Sequence, residues 1–234
     1  LGYYDYYGHY YYFGPFAVIH KMREDLPVFR ELGGTFLVLE TQPNFGMQGL
    51  NNYVAARLEW DIDADVDLLL EEFFTKYYGP AADPMRKFWL AAERHYALER
   101  PGTQTETRVA LRPEFWTELD EYLKQAEQEA IPPIDAGQQR FFDRVRLNRD
   151  AFEYAQMHTR YSYESLRRLE RMGGKADHAA AIKALQAQGP RIEALQQKYL
   201  STDPYWPVMV REYFFINVQD DIKAHQEAMK PKAN

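Results

Sequence analysis

Two carboxylates close short strand-like runs in this sequence, Asp5 in "GYYDYYG" and Glu40 in "TFLVLE". In parallel α/β folds the reacting groups sit at the carboxyl ends of strands and in the loops that follow. That rule selects Asp5 through Phe13 and Glu40 through Gln48. On neighbouring strands about 4.8 Å apart, the two carboxylates would fall within the roughly 5–10 Å that glycosidic bond hydrolysis requires between acid and nucleophile or base. A carboxylate ending an apolar run is costly to bury unless it faces a polar cavity. Glu40 is therefore the first catalytic candidate, with a helix cap or an arginine partner as its plainer role. Asp5 is the second, with a structural acceptor as the alternative.

The surrounding residue types suit a sugar. Aromatic faces stack on the apolar faces of sugar rings while phenol hydroxyls hydrogen-bond. Tyr4, Tyr6, Tyr10 and Tyr11, with His9, are the candidate substrate contacts, and Asn44 and Gln48 are placed to bond ligand hydroxyls. Strand alternation turns half of the strand tyrosines away from any one ligand. His20, His95, His158, His178 and His225 show no ligand spacing, and the chain has no cysteine, so neither a metal nor a disulfide is expected. Phosphate-binding, dinucleotide, zinc-protease and serine-elbow motifs are absent, and no cofactor is expected.

The elements that must hold these groups divide the chain. Residues 1–61 alternate strand and helix: "GYYDYY", then "AVIHKMREDLPVFRELGG" with apolar residues at helical gaps, then "TFLVLE", then "LNNYVAARLEW". Pro27 is expected to break or kink the first helix and the Gly33–Gly34 pair to stop it. The unbroken apolar run of TFLVLE predicts a parallel strand buried on both faces. Two strand–helix units in this span match a (β/α)8 barrel, which spends about 31 residues on each; any α/β fold with one βαβ crossover matches as well. From residue 62 to 234 the strand signal vanishes. Asp63 or Asp65 caps a helix that Gly79 stops, Pro113 opens another, one helix of more than 30 residues runs to Gly173–Gly174, and Pro190 interrupts the last stretch. The fold expected is α/β over 1–61 followed by an all-α bundle over 62–234.

Composition bounds the rest. The chain has 234 residues, 46% of them hydrophobic, with net charge −7 and no Lys/Arg block, which argues against nucleic acid and against an anionic membrane surface. No apolar run approaches the roughly 20 residues of a transmembrane helix, so membrane insertion is not expected. A chain opening on Leu1 is expected to be a fragment or a processed product.

The stretch "FLVLETQPNFGMQGLNNYVAARLEWDIDADVDLLLEEFFTKYYGPAADPMRKFW" resembles the C-terminal part of a bacterial family of glycoside-hydrolase-like barrels. That family carries a domain of unknown function and is related to α-glucuronidase-like enzymes and to endo-β-N-acetylglucosaminidases of glycoside hydrolase family 163. The resemblance is specific over residues 35–90 and looser over 1–34. It implies that residues 1–61 are the last two βα units of a TIM-type barrel whose N-terminal part is missing, in a periplasmic or secreted parent. It also implies an oligosaccharide or glycan as substrate, cleaved by carboxylate acid/base chemistry, with the proton donor on an earlier strand and the fragment alone inactive. A non-catalytic glycan-binding scaffold and a protein-interaction domain are the alternatives.

Overall fold

The computed structural model describes residues 1–8, 13–40, 44–99, 105–131, 137–200 and 216–230. Strand β1 (Gly2–Tyr6), helix α1 (Ile19–Glu31), strand β2 (Phe36–Glu40) and helix α2 (Phe45–Trp60) come first. The strands pair in parallel, Gly2 opposite Phe36 through Tyr6 opposite Glu40. Tyr3, Leu37 and Leu39 pack on the core, whereas Tyr4, Tyr6, Phe36 and Val38 are 54%, 48%, 61% and 45% exposed. The strand TFLVLE is thus covered on one face only, which corrects the expectation of burial on both. Its second apolar face has no described layer over it.

Helix α1 runs through Pro27 without interruption. Proline in a helix interior costs about 3 kcal/mol, and the burial of Ile19, Met22, Leu26 and Phe29 along one stripe outweighs it. The helix ends where Gly33 takes φ +76°, a backbone conformation that favours glycine. The N–H groups of Gly33 and Gly34 there donate to the carbonyls of Arg30 and Phe29.

Helices α3 (Val66–Tyr78), α4 (Ala82–Ala97), α5 (Thr105–Ala110), α6 (Pro113–Glu129), α7 (Gln139–Tyr161), α8 (Tyr163–Arg171), α9 (His178–Leu200) and α10 (Val218–Ala228) follow. The α3 cap is Asp65, whose carboxylate accepts from the Asp67 and Leu68 N–H groups, and its stop is Gly79 at φ +54°. The single long helix expected up to Gly173 is two. Ser162 leaves helical geometry at ψ 141°, and its hydroxyl accepts the Ser165 N–H to start α8. The expected break at Pro190 does not occur either. Burial of Leu185, Ile192 and Leu195 carries α9 through it.

One contiguous core joins both parts of the chain. Leu50, Val54 and Leu58 of α2 meet Leu69, Phe73 and Phe74 of α3, and Trp89, Trp116 and Phe152 fill the space between α4, α6 and α7. The βαβα unit therefore rests with one sheet face and α2 against a helical bundle.

Candidate functional site

The register fixes the backbone positions of the two residues proposed from sequence. Asp5 is opposite Leu39, and Glu40 is opposite Tyr6. Because strand residues alternate between faces, Asp5 belongs with the core-facing set and position 40 has the parity of Tyr4, Tyr6 and Val38. The backbone register thus gives positions 5 and 40 opposite parity.

Asp5 lies against α1 and is fully committed there. The Lys21 ammonium donates to Oδ2, the Tyr3 hydroxyl donates to the same oxygen at 2.5 Å, and the Tyr6 N–H donates to Oδ1 at 2.7 Å. Burial alone would raise the Asp5 carboxyl, but the hydrogen bonds from Lys21, Tyr3 and Tyr6 and the Lys21 charge together hold it below the usual range. An acid held ionised this way cannot donate a proton near neutrality. The same surroundings push Tyr7 up to about 12, chiefly by burial, and raise Tyr3 by burial and by the Asp5 bond. Asp5 fastens β1 to α1.

Tyr4 and Tyr6 occupy the open face. Their rings stand edge to face at 5.4 Å, and the Tyr4 hydroxyl donates to the Tyr6 oxygen at 3.1 Å. His9, Tyr10 and Tyr11 lie outside the described residues, as does the side chain of Glu40.

Asn44 and Gln48 are both fully enclosed, so neither offers a surface to a ligand in this arrangement. The Asn44 amide donates to the Phe13 carbonyl at 3.0 Å, while its Oδ1 is buried without a donor. One turn further along α2 is Asn51, which sequence reasoning missed. Its amide donates to the carbonyls of Tyr7 at 2.8 Å and Phe16 at 3.0 Å, and its Oδ1 accepts the Val18 N–H at 3.1 Å. The Phe16 N–H donates to the Met47 carbonyl at 2.9 Å. Buried backbone groups need such partners, and α2 provides them for the segment leaving β1. Tyr7, Phe16 and Val18, on the backbone that leaves β1, are thereby held against α2.

The helical half reaches the same place. The Trp89 indole N–H donates to the Tyr78 hydroxyl at 3.1 Å, which donates to Asn148 Oδ1 at 3.0 Å. The Asn148 amide in turn donates to the Gly46 carbonyl at 2.5 Å, in the first turn of α2. No sequence motif marks this chain, because its bonds span 70 and 102 positions. A further buried carboxylate, Asp150, is taken up by Lys198 at 2.5 Å and Arg191 at 3.3 Å and ties α7 to α9.

Among the described residues no group of three His, Asp or Glu side chains could hold a metal ion, and no helix is long and apolar enough to cross a membrane. Residues 1–90 match the model of a family described as a domain of unknown function (DUF4838). The matched span runs from β1 into α4 and includes every residue proposed above. No curated protein and no solved structure matches the chain.

Proposed function

We propose that this chain is the closing part of a carbohydrate-active (β/α)8 barrel, a glycoside hydrolase in which Glu40 is the carboxylate contributed by the last strand. The observation that carries this reading is the bare face of the parallel pair: Tyr4, Tyr6, Phe36 and Val38 exposed on one side, with α1 and the core on the other. In a closed barrel that face is the filled interior. Covering these half-exposed side chains would contribute about 3–6 kcal/mol, and a two-stranded sheet is marginal alone. The missing N-terminal part of the barrel is the partner this face fits.

In the closed barrel the strand end at Glu40 opens on the catalytic face, and α2 begins a short loop later. The positive end of a helix favours negative charge, so Glu40 serves as ionised nucleophile or base. The proton donor comes from an upstream strand, and Asp5 positions β1 without touching substrate. No cofactor enters this chemistry; the two carboxylates divide nucleophilic and acid work between them. Tyrosines at the strand ends stack on the glycan.

The test is hydrolysis of aryl-glycosides and N-glycans by a protein in which this chain completes its barrel. E40Q should lower kcat by about a thousandfold or more while leaving the fold intact. Wild-type turnover by E40Q would overturn the role of Glu40. Glycan binding without turnover by the unaltered protein would replace hydrolysis with a binding scaffold.

A further inference from the structure

Far from the strand ends, α8, α9 and α10 meet around two buried imidazoles. His178 opens α9 and His225 lies near the end of α10. Their Nδ1 atoms are 2.8 Å apart. On the outer side of each ring, His178 Nε2 is 3.3 Å from Glu170 Oε1 on α8, and His225 Nε2 is 2.9 Å from the Tyr161 carbonyl at the end of α7.

The polarity of this chain is forced. A carbonyl only accepts, so His225 Nε2 carries a hydrogen. A neutral His225 then accepts at Nδ1, and His178 must donate there. An ionised carboxylate also only accepts, so His178 Nε2 must carry a hydrogen as well. Three links require three hydrogens, and two neutral imidazoles beside a carboxylate bring two.

We infer that these helices are joined by a proton-dependent latch, in which one additional proton carried by the His178–His225 pair and facing Glu170 locks α8 to α9, and its loss opens the Glu170–His178 link.

The neighbouring groups fit that charge. On α10, Asp221 accepts the Tyr163 N–H at 2.5 Å, and its carboxyl, raised by burial, is drawn back down in part by His225. The Tyr163 ring lies 5.4 Å from His225 and 6.2 Å from His178. On α8, Glu164 is taken up by Arg168 and Arg171, whereas among the described residues Glu170 has no Lys or Arg partner. Asp177, next to His178, caps α9 through the Ala180 N–H. The positive end of α9 disfavours a cation at His178, so the proton stays only while these carboxylates face it.

On deprotonation the Tyr161 and His178–His225 links can persist. His178 Nε2 is then a bare lone pair facing a carboxylate, and Glu170, whose side chain is 46% exposed, can turn to water. The element released is α8. Its Leu166 and Leu169 form a wall of a cleft of about 250 Å³ completed by Pro113, Trp116 and Ala181.

The test uses residues 1–234 with 15N-labelled histidine. Below the transition, imidazole spectra should show three nitrogen-bound hydrogens over the pair, and above it two, with amide exchange in α8 rising at least tenfold. In E170Q the carboxamide can donate or accept, so the third proton is no longer required. Both unfolded chains carry the same two free histidines, so the ratio of the wild-type to the E170Q unfolding constant isolates the proton held by the fold, and it should rise with pH by up to about tenfold per unit as that proton is lost. Identical pH profiles for the two proteins would overturn the latch. So would two nitrogen-bound hydrogens throughout the range in the wild type, a result that does not depend on any variant folding.

Discussion

Replacing Asn51 by alanine removes three hydrogen bonds at once, to the Tyr7 and Phe16 carbonyls and from the Val18 N–H. Asn51 is fully buried, so water cannot readily replace its amide. Each bond contributes about 1 kcal/mol net, and stranding its buried partners adds to the cost, so a loss of about 3–5 kcal/mol is expected. That is a large share of the 5–15 kcal/mol or so that holds an ordinary domain folded. Urea unfolding measures the loss, and amide exchange locates it. The Val18 N–H, bonded to Asn51 in the unaltered chain, should in N51A exchange with the local opening of the segment leaving β1, while amides in α6 and α7 change only through global stability. N51D separates geometry from chemistry: Oδ1 is kept for Val18, but a carboxylate faces two carbonyls, so it should be no better than alanine. A loss below about 1 kcal/mol for N51A, with Val18 still protected, would refute the idea that α2 fastens this segment.

Two further outcomes follow from the same interior. Asp5 is held below its ordinary value near 3.8, so its contribution is fully present above that value and is lost as pH falls through the lower folded value. D5N should therefore flatten the acid limb of the stability profile and cost about 1 kcal/mol or less at neutral pH, since Lys21 is half exposed. Y78F strands the Trp89 N–H and Asn148 Oδ1 inside the core and should cost about 2–3 kcal/mol in urea unfolding, whereas Y122F, which loses one 3.4 Å contact to Glu118, should change stability by less than about 0.5 kcal/mol.

The local signals in the sequence were readable because their physics is local. Asp65, Gly79 and Gly33 act on backbone groups within a turn of themselves, and each does so here. No break occurs at Pro27 or Pro190 for the opposite reason: a buried stripe assembled from distant elements outweighs one missing N–H. Ser162 was a readable cap hidden inside an otherwise continuous helical pattern. The facing of Asp5 was not readable. In "GYYDYYG" and "TFLVLE" both parities are apolar or aromatic, so alternation carries no information until the register is known. Asn44 and Gln48 looked like ligand contacts because polar residues after a strand usually are accessible. Here both are buried, and the Asn44 amide is taken up by the Phe13 carbonyl.

This enclosure changes how the strand ends relate to the bundle. The polar chain from Trp89 through Tyr78 and Asn148 ends on the Gly46 carbonyl, and Asn51 holds the segment that leaves β1. Both supports act on backbone close to a strand end, and one originates in helices α3, α4 and α7. A substitution in any of these helices can therefore displace the start of α2 without touching a ligand. Buried polar bonds hold direction as well as energy, and an apolar bundle alone would let α2 slide along its axis. For the proposed hydrolase, the helical half is then a brace for the strand end: Y78F in the completed barrel should lower kcat more than it raises KM, because misplacement of a reacting carboxylate by about 1 Å is felt mainly in the chemical step.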